Sequence, residues 1–200
     1  PAEAGRCDPQ RRQRDRRSDA VCLLAATALP LVGNGKRHGV CDRPGQTCLW
    51  RTGLQPVQPG NGGLCLHTII LDPSNDERMY VAISTGGCYR SDDDGQTWNP
   101  FNKNVRADFH PEKFPEYGQC VHKMTMHPSN PNVLYQQNHC GVYRSDNAGA
   151  DWIDIGDGKL PSRFGFPIAV HPADPQTVYI ALEESDEYRM SVDGKFSIWR

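Results

Sequence analysis

The chain has 200 residues, and its 24 acidic side chains against 22 basic ones give a formal charge of −2. That is too little positive charge for the phosphate-driven association that dominates nucleic-acid binding. No run reaches the roughly 18 apolar residues that a membrane-crossing helix needs, so neither a nucleic-acid nor a membrane partner is expected.

In chain order the N-terminal segment comes first, and it holds the cationic excess: ten Lys and Arg against five Asp and Glu in residues 1–58. Arg11-Arg-Gln-Arg-Asp-Arg-Arg17 is a solvated charge run, and Ala20–Val32 is a short apolar stretch interrupted by Pro30. A basic region followed by an apolar core is the pattern of a secretory signal, but no processing site leads from it into the remainder of the chain. Residues 34–57 show neither helical nor strand periodicity. Residues 1–57 are therefore expected to be an irregular leader, either disordered or foreign to the native coding frame.

From residue 58 the chain becomes repetitive. Cys65-Leu-His-Thr-Ile-Ile-Leu-Asp-Pro73, Cys120-Val-His-Lys-Met-Thr-Met-His-Pro128 and Ile168-Ala-Val-His-Pro172 are versions of one phrase. Each proline is followed seven residues later by a tyrosine: Tyr80, Tyr135 and Tyr179. Tyr89-Arg-Ser-Asp92 and Tyr143-Arg-Ser-Asp146 come next, and Trp98 and Trp152 close the first two copies. The short Val-, Ile- and Tyr-rich runs between Asp-Pro, Asn-Pro and Asp-Gly punctuation read as strands. Three or four strands in roughly 45–55 residues match one propeller blade. The expectation is an all-β fold: a partial β-propeller of three blades over residues 58–200, at 60–105, 115–157 and 163–200, the last lacking its outer strand. Such an excerpt is expected to aggregate when isolated, because uncovered blade faces and strand edges associate.

The eight cysteines divide into Cys7, Cys22, Cys41 and Cys48 in the leader and Cys65, Cys88, Cys120 and Cys140 in the repeats. Cys65 and Cys120 hold the same place in successive repeats, on strands too divergent for the Cα spacing of a disulfide. They are expected to be reduced thiols, which favours a reducing, cytoplasmic setting over secretion.

Ser91-x-Asp93-x-Gly95-x-Thr97-Trp98 has the form of an Asp box. In such a hairpin turn a carboxylate accepts backbone N–H bonds, glycine takes a positive φ and a tryptophan packs beneath. Ser145-x-Asn147-x-Gly149-x-Asp151-Trp152 is a degenerate copy. With these motifs the chain resembles the sialidase-like, Asp-box propeller superfamily, in particular bacterial proteins known as glycosyl hydrolases or exo-alpha-sialidases. Gly118-Gln-Cys-Val-His-Lys123, Gln136-Gln-Asn-His-Cys-Gly-Val-Tyr-Arg144 and Phe164-Gly-Phe-Pro-Ile168 add to the resemblance, which spans residues 58–200. It implies that Ser91, Asp93, Gly95, Thr97, Trp98, Ser145, Asn147, Gly149 and Trp152 are structural turn residues at the blade periphery.

Propeller topology carries the start of each first strand and the loop after each second strand to one channel mouth. That gathers His67, Gln119, His122, Lys123, Asn138 and His139 as candidate ligand-binding residues. Polar groups at otherwise apolar strand positions need a partner or a wet channel. A structural alternative stands beside this reading, with His67 and His122 bonding backbone across a blade seam and Gln136 and Asn138 satisfying strand edges. His127 and His171, each before a proline, are expected to be turn residues.

Three function classes compete. A glycoside hydrolase needs two carboxyl groups across the scissile bond; Glu183, Glu184 and Arg163 are the candidates for catalysis. They do not complete the arginine triad and Tyr–Glu pair of the sialidases that the chain resembles, and Phe166-Pro167-Ile168 lacks that family's motif arginine. A non-catalytic binding or assembly propeller is the second class. The third is a metal site from His67, His122 and His139, perhaps joined by Glu183, since imidazole suits several transition metals. No cofactor is implied, and the expected partner is a glycan or small polar ligand.

Overall fold

A computed structural model describes residues 65–200; the expectations for the leader, and for residues 58–64 of the first blade, fall outside them. The described residues form eleven strands in three antiparallel sheets. The first sheet runs β1 (Cys65–Leu71), β2 (Met79–Ser84), β3 (Gly87–Ser91) and β4 (Asn99–Pro100). The second repeats it with β5 (Val121–His127), β6 (Asn130–Asn138), β7 (Gly141–Ser145) and β8 (Ile153–Asp154). The third has β9 (Gly165–Val170), β10 (Val178–Leu182) and β11 (Ile198–Trp199).

In every sheet consecutive strands are neighbours, so each is a simple meander. Strand β5 packs against β1 and β2 of the sheet before it, and β9 packs against β5 and β6. Successive meanders joined through their leading strands are propeller blades, and the fold is a partial β-propeller. In the third blade Ile198 and Trp199 pair with Ala181 and Ile180 as a short third strand, so this sheet has three strands where the others have four. No helix among the described residues is long and apolar enough to cross a membrane.

The core lies between blades as well as within them. Tyr80, Ala82 and Cys88 of the first sheet pack with Val121, Met124, Leu134, Tyr143 and Trp152 of the second in one buried cluster. Val133, Tyr135 and Val142 of the second join Ile168, Ile180 and Leu182 of the third. The Val, Ile and Tyr positions that mark the repeat are the residues that fill these seams.

The two serine-led turns have nearly the same architecture. Asp93 Oδ1 accepts bonds from the Thr97 amide (2.8 Å) and the Ser91 hydroxyl (2.8 Å), and Oδ2 accepts from the Thr97 hydroxyl (2.6 Å). The Gly95 amide donates to Ser91 Oγ at 2.8 Å. In the second turn Asn147 Oδ1 accepts from the Asp151 amide and the Ser145 hydroxyl, each at 2.9 Å, and the Gly149 amide donates to Ser145 Oγ at 2.9 Å. Gly95 and Gly149 sit at φ 82° and 86°, in the left-handed region that disfavours side chains. The tryptophans diverge. Trp98 Nε1 donates within its own turn to Gly95 O (3.1 Å), whereas Trp152 Nε1 crosses the seam to Phe101 O (2.8 Å).

Strand register fixes which end of each sheet carries what. Cys65 pairs with Ser84 and Ile83 with Gly87 at one end of the first sheet; Leu71 pairs with Met79 and Met79 with Ser91 at the other. In the second sheet Val121 pairs with Asn138, and Asn138 with Gly141, while Leu134 pairs with Ser145 at the far end. The Asp93 and Asn147 turns thus lie at the opposite sheet end from the start of β5 and the β6–β7 turn.

Candidate functional site

The start of β5 and the β6–β7 turn are locked together by backbone. The His139 amide donates to Cys120 O at 2.9 Å, and Asn138 Oδ1 accepts the Cys140 amide at 3.1 Å, shaping the turn. Cys120 precedes β5 and His122 lies at its bulge, where the pairing with β6 skips from Val121 to Lys123, and the two side chains come to the same side. His139 is held directly across from them. One thiol and two imidazoles therefore converge: a donor atom from each of Cys120, His122 and His139 lies within 4.8 Å of the others.

Each member is oriented by a neighbour. His122 Nδ1 lies 2.6 Å from Gly165 O on β9, so that nitrogen carries the proton and Nε2 keeps the ring's lone pair. The His122 ring stacks on Phe166 at 4.5 Å between centroids and meets Phe164 edge-on at 5.1 Å. This burial pushes its pKa down to about 4, against the bond to Gly165 and with help from the nearby His139, His67 and Arg189, so the imidazole is neutral near pH 7. His139 Nε2 contacts Asp186 Oδ2 at 3.1 Å, and its ring meets Phe109 and Phe164 edge-on. Burial raises the Cys120 thiol pKa, opposed by hydrogen bonds from the Thr85 backbone and the Ser84 hydroxyl. Ser84 Oγ in turn lies 2.5 Å from His67 Nε2, placing His67 one residue removed from the thiol.

Beside this cluster opens a cleft of about 410 Å³ lined by His139, Leu160–Phe164 and Glu184–Asp186. Its two walls belong to the β8–β9 connection and the loop after β10.

The sequence-derived candidates are sorted by this geometry. His122 and His139 meet, and His67 lies nearby. Lys123 is exposed on β5. Gln119 and Asn138 are fully buried: Gln119 Nε2 donates to Pro115 O (2.5 Å) while its Oε1 has no protein partner, and Asn138 Oδ1 shapes its turn. His122 satisfies both descriptions offered by its sequence, bonding backbone across a seam while also facing His139. Arg163 lines the cleft, yet its guanidinium pairs with Asp154 (2.9 Å) and Asp157. Glu183 is half-buried, its amide bonded to Phe164 O at 3.0 Å, while Glu184 lines the cleft. His127 and His171 are turn residues, each accepting at Nδ1 the amide two residues on.

Sequence reasoning passed over Cys120 as a ligand, Gln137, and the two phenylalanines as ring partners. Gln137 Nε2 donates across the seam to Arg163 O at 3.1 Å. The i, i+2 spacing of Cys120 and His122 was the available signal for the thiol. Cys65, Cys88, Cys120 and Cys140 are the free thiols among the described residues, Cys65 and Cys120 standing on separate blades as the repeat implied.

No family model matches the chain. A xyloglucanase, Xgh74A of Acetivibrio thermocellus, is 25% identical over 138 residues, covering 60% of this chain and 16% of the relative. Solved structures show weaker likenesses. The crystal structure of an ancestral GH74 enzyme shares 22% identity at a TM-score of 0.47, over 69% of this chain and 16% of that one. The GH74 xyloglucanase from Xanthomonas campestris shares 13% at 0.43, over 65% and 21%. YCF48 bound to D1 peptide shares 20% at 0.38, over 57% and 33%. The chain spans 16% of the length of the curated xyloglucanase. The chain is thus similar to a stretch of a xyloglucanase.

Proposed function

We propose that these blades contribute a glycan-binding face to a glycoside-hydrolase-type propeller, with a neutral polysaccharide of the xyloglucan kind as ligand. The observation that carries the reading is the composition of the cleft. Leu160 and the half-buried His139 ring give it apolar surface over a buried Phe164, and Glu184, Ser162 and Asp186 give it hydroxyl-binding groups. Clefts of a few hundred cubic ångströms with apolar walls and a few fixed polar groups are the usual form of small-ligand sites. The likeness to a xyloglucanase supports the choice of ligand. Arg163 is neutralised by Asp154 and Asp157, which argues against a subsite built around it for an acidic sugar.

Binding is favoured over hydrolysis by the described residues. Glycoside cleavage places carboxyl groups on both sides of the bond, whereas Glu184 and Asp186, the carboxylates of this cleft, come from one loop. The Ser91 and Ser145 turns act in this proposal as Asp-box struts, remote from ligand.

Calorimetric titration with xyloglucan heptasaccharide tests the reading, on chain kept monomeric as followed by light scattering. Binding should weaken about tenfold in Glu184→Gln, the loss expected of one hydrogen bond to a charged group, with the melting temperature unchanged. Absence of binding by the folded wild-type chain, or unaltered affinity in the variant, overturns it.

A further inference from the structure

The Cys120, His122 and His139 cluster has a chemistry that the glycan reading leaves unused. Thiolate and imidazole are the donors chosen by borderline-soft ions, while carboxylate, carbonyl and water suit magnesium and calcium. Three such donors within 4.8 Å of one another need only small side-chain rotations to reach one ion. All three are anchored on a single hairpin by the His139 amide bond to Cys120 O, so the spacing is built into one structural unit.

The surroundings match what metal-binding histidines require. A ligating imidazole commonly donates its other ring N–H to a carbonyl or carboxylate, which fixes the tautomer and aims the free lone pair. His122 has such a partner in Gly165 O, 2.6 Å from Nδ1, and His139 has one in Asp186 Oδ2, 3.1 Å from Nε2. With Nδ1 of His122 bonded to Gly165 O and Nε2 of His139 against Asp186, the ring atoms left for an ion are His122 Nε2 and His139 Nδ1. Phe164 and Phe166 pack on the His122 ring and hold it against rotation. A histidine that served only as seam filler would need the Gly165 bond but not a second oriented imidazole and a thiol beside it.

We propose that Cys120, His122 and His139 form a three-ligand site for a divalent transition-metal ion of the zinc class, the fourth position being taken by water or by a ligand entering from the adjoining cleft. On binding, the Cys120 S–H bond breaks, its proton passes to solvent, and the sulfur electron pair forms the bond to the metal. The site differs from the His67, His122, His139 set expected from sequence, because Ser84 stands between His67 and the thiol. It does not depend on glycan binding, and its readout is spectroscopic.

The test is titration of the reduced 200-residue chain with Co(II), followed by competition with Zn(II) and Mg(II), alongside Cys120→Ser and His139→Gln. The wild-type chain should give a thiolate-to-cobalt charge-transfer band and strong visible bands of four-coordinate cobalt, saturating at one equivalent, abolished by Zn(II) and untouched by Mg(II). Cys120→Ser should lose the charge-transfer band. His139→Gln should retain the circular dichroism of the wild type and bind Co(II) at least tenfold more weakly. A wild-type chain without the thiolate band overturns the proposal. So does a band that survives Cys120→Ser, which would assign the metal to other cysteines of the chain, or an affinity unchanged in His139→Gln. Should Cys120→Ser lose its wild-type dichroism, the His139→Gln affinity decides.

Discussion

Asp93 and Asn147 occupy the same place in successive turns and close them differently. Both accept the amide four residues on; Asp93 Oδ2 also accepts the Thr97 hydroxyl, whereas Asn147 Nδ2 donates to Asp151 Oδ2 at 3.2 Å. Burial would raise the Asp93 pKa; the bonds from Thr97 and Ser91 outweigh it and hold the carboxyl below its ordinary value. A carboxylate depressed in the folded state adds stability above its unfolded pKa and loses it as pH falls through the folded pKa. Asp93→Asn should therefore be less stable than wild type at neutral pH, with the gap closing under acid; urea melts at a series of pH values would show it. Asp93→Ala should cost about 1 kcal/mol per lost turn bond without altering glycan or metal binding. A binding defect at unchanged stability would place Asp93 in a site, against the geometry.

At the scale of strands and seams, the two tryptophans make different predictions. Trp98 bonds its own turn, while Trp152 is almost fully buried and bonds Phe101 O in the neighbouring blade. Tyr80 strengthens the same seam by donating to Ala148 O at 3.1 Å, and Arg90 donates to that carbonyl at 3.0 Å. Gly149 is pressed here too, since a Cβ would meet Phe101 at 3.3 Å. Trp152→Phe strands the Phe101 carbonyl and should cost about 1–3 kcal/mol. Trp98→Phe, whose lost partner lies in a local, partly exposed turn, should cost less. Thermal denaturation of the two variants side by side would rank them; equal losses would mean that the seam bond carries no special weight.

Across the whole molecule, burial is unequal among the blades. The last six residues of β6 are buried, whereas β1 has none buried and β11 is exposed at Ile198. Blade arrays draw stability from neighbour interfaces, and the second blade has one on each side. Amide exchange should therefore be slowest in β6 and β7 and faster in β1 and β10–β11. Hydrogen-exchange mass spectrometry would check this, and uniform protection across the three sheets would contradict it.

The sequence by itself determined the strands, their order and the turns, because those depend on local chemistry. Alternating Val, Ile and Tyr, the Asp-Pro and Asp-Gly punctuation and the Ser-x-Asp spacing act within a few residues, and the recurrence of Pro73, Pro128 and Pro172 exposes the blade period. It also brought His122 and His139 to one mouth, since meander topology alone carries a strand start and the next hairpin turn to the same end. What it could not settle was which polar side chains are consumed by the fold. Gln119 and Asn138 read like site residues, but their amides bond Pro115 O and the Cys140 amide, contacts that exist only once the loops close. Nor could spacing show that Ser84 displaces His67 from the thiol, or that Gly165, Asp186, Phe164 and Phe166 would orient two imidazoles. Those partners come from a neighbouring blade, and only packing of one blade on the next sets side-chain directions and burial at a seam.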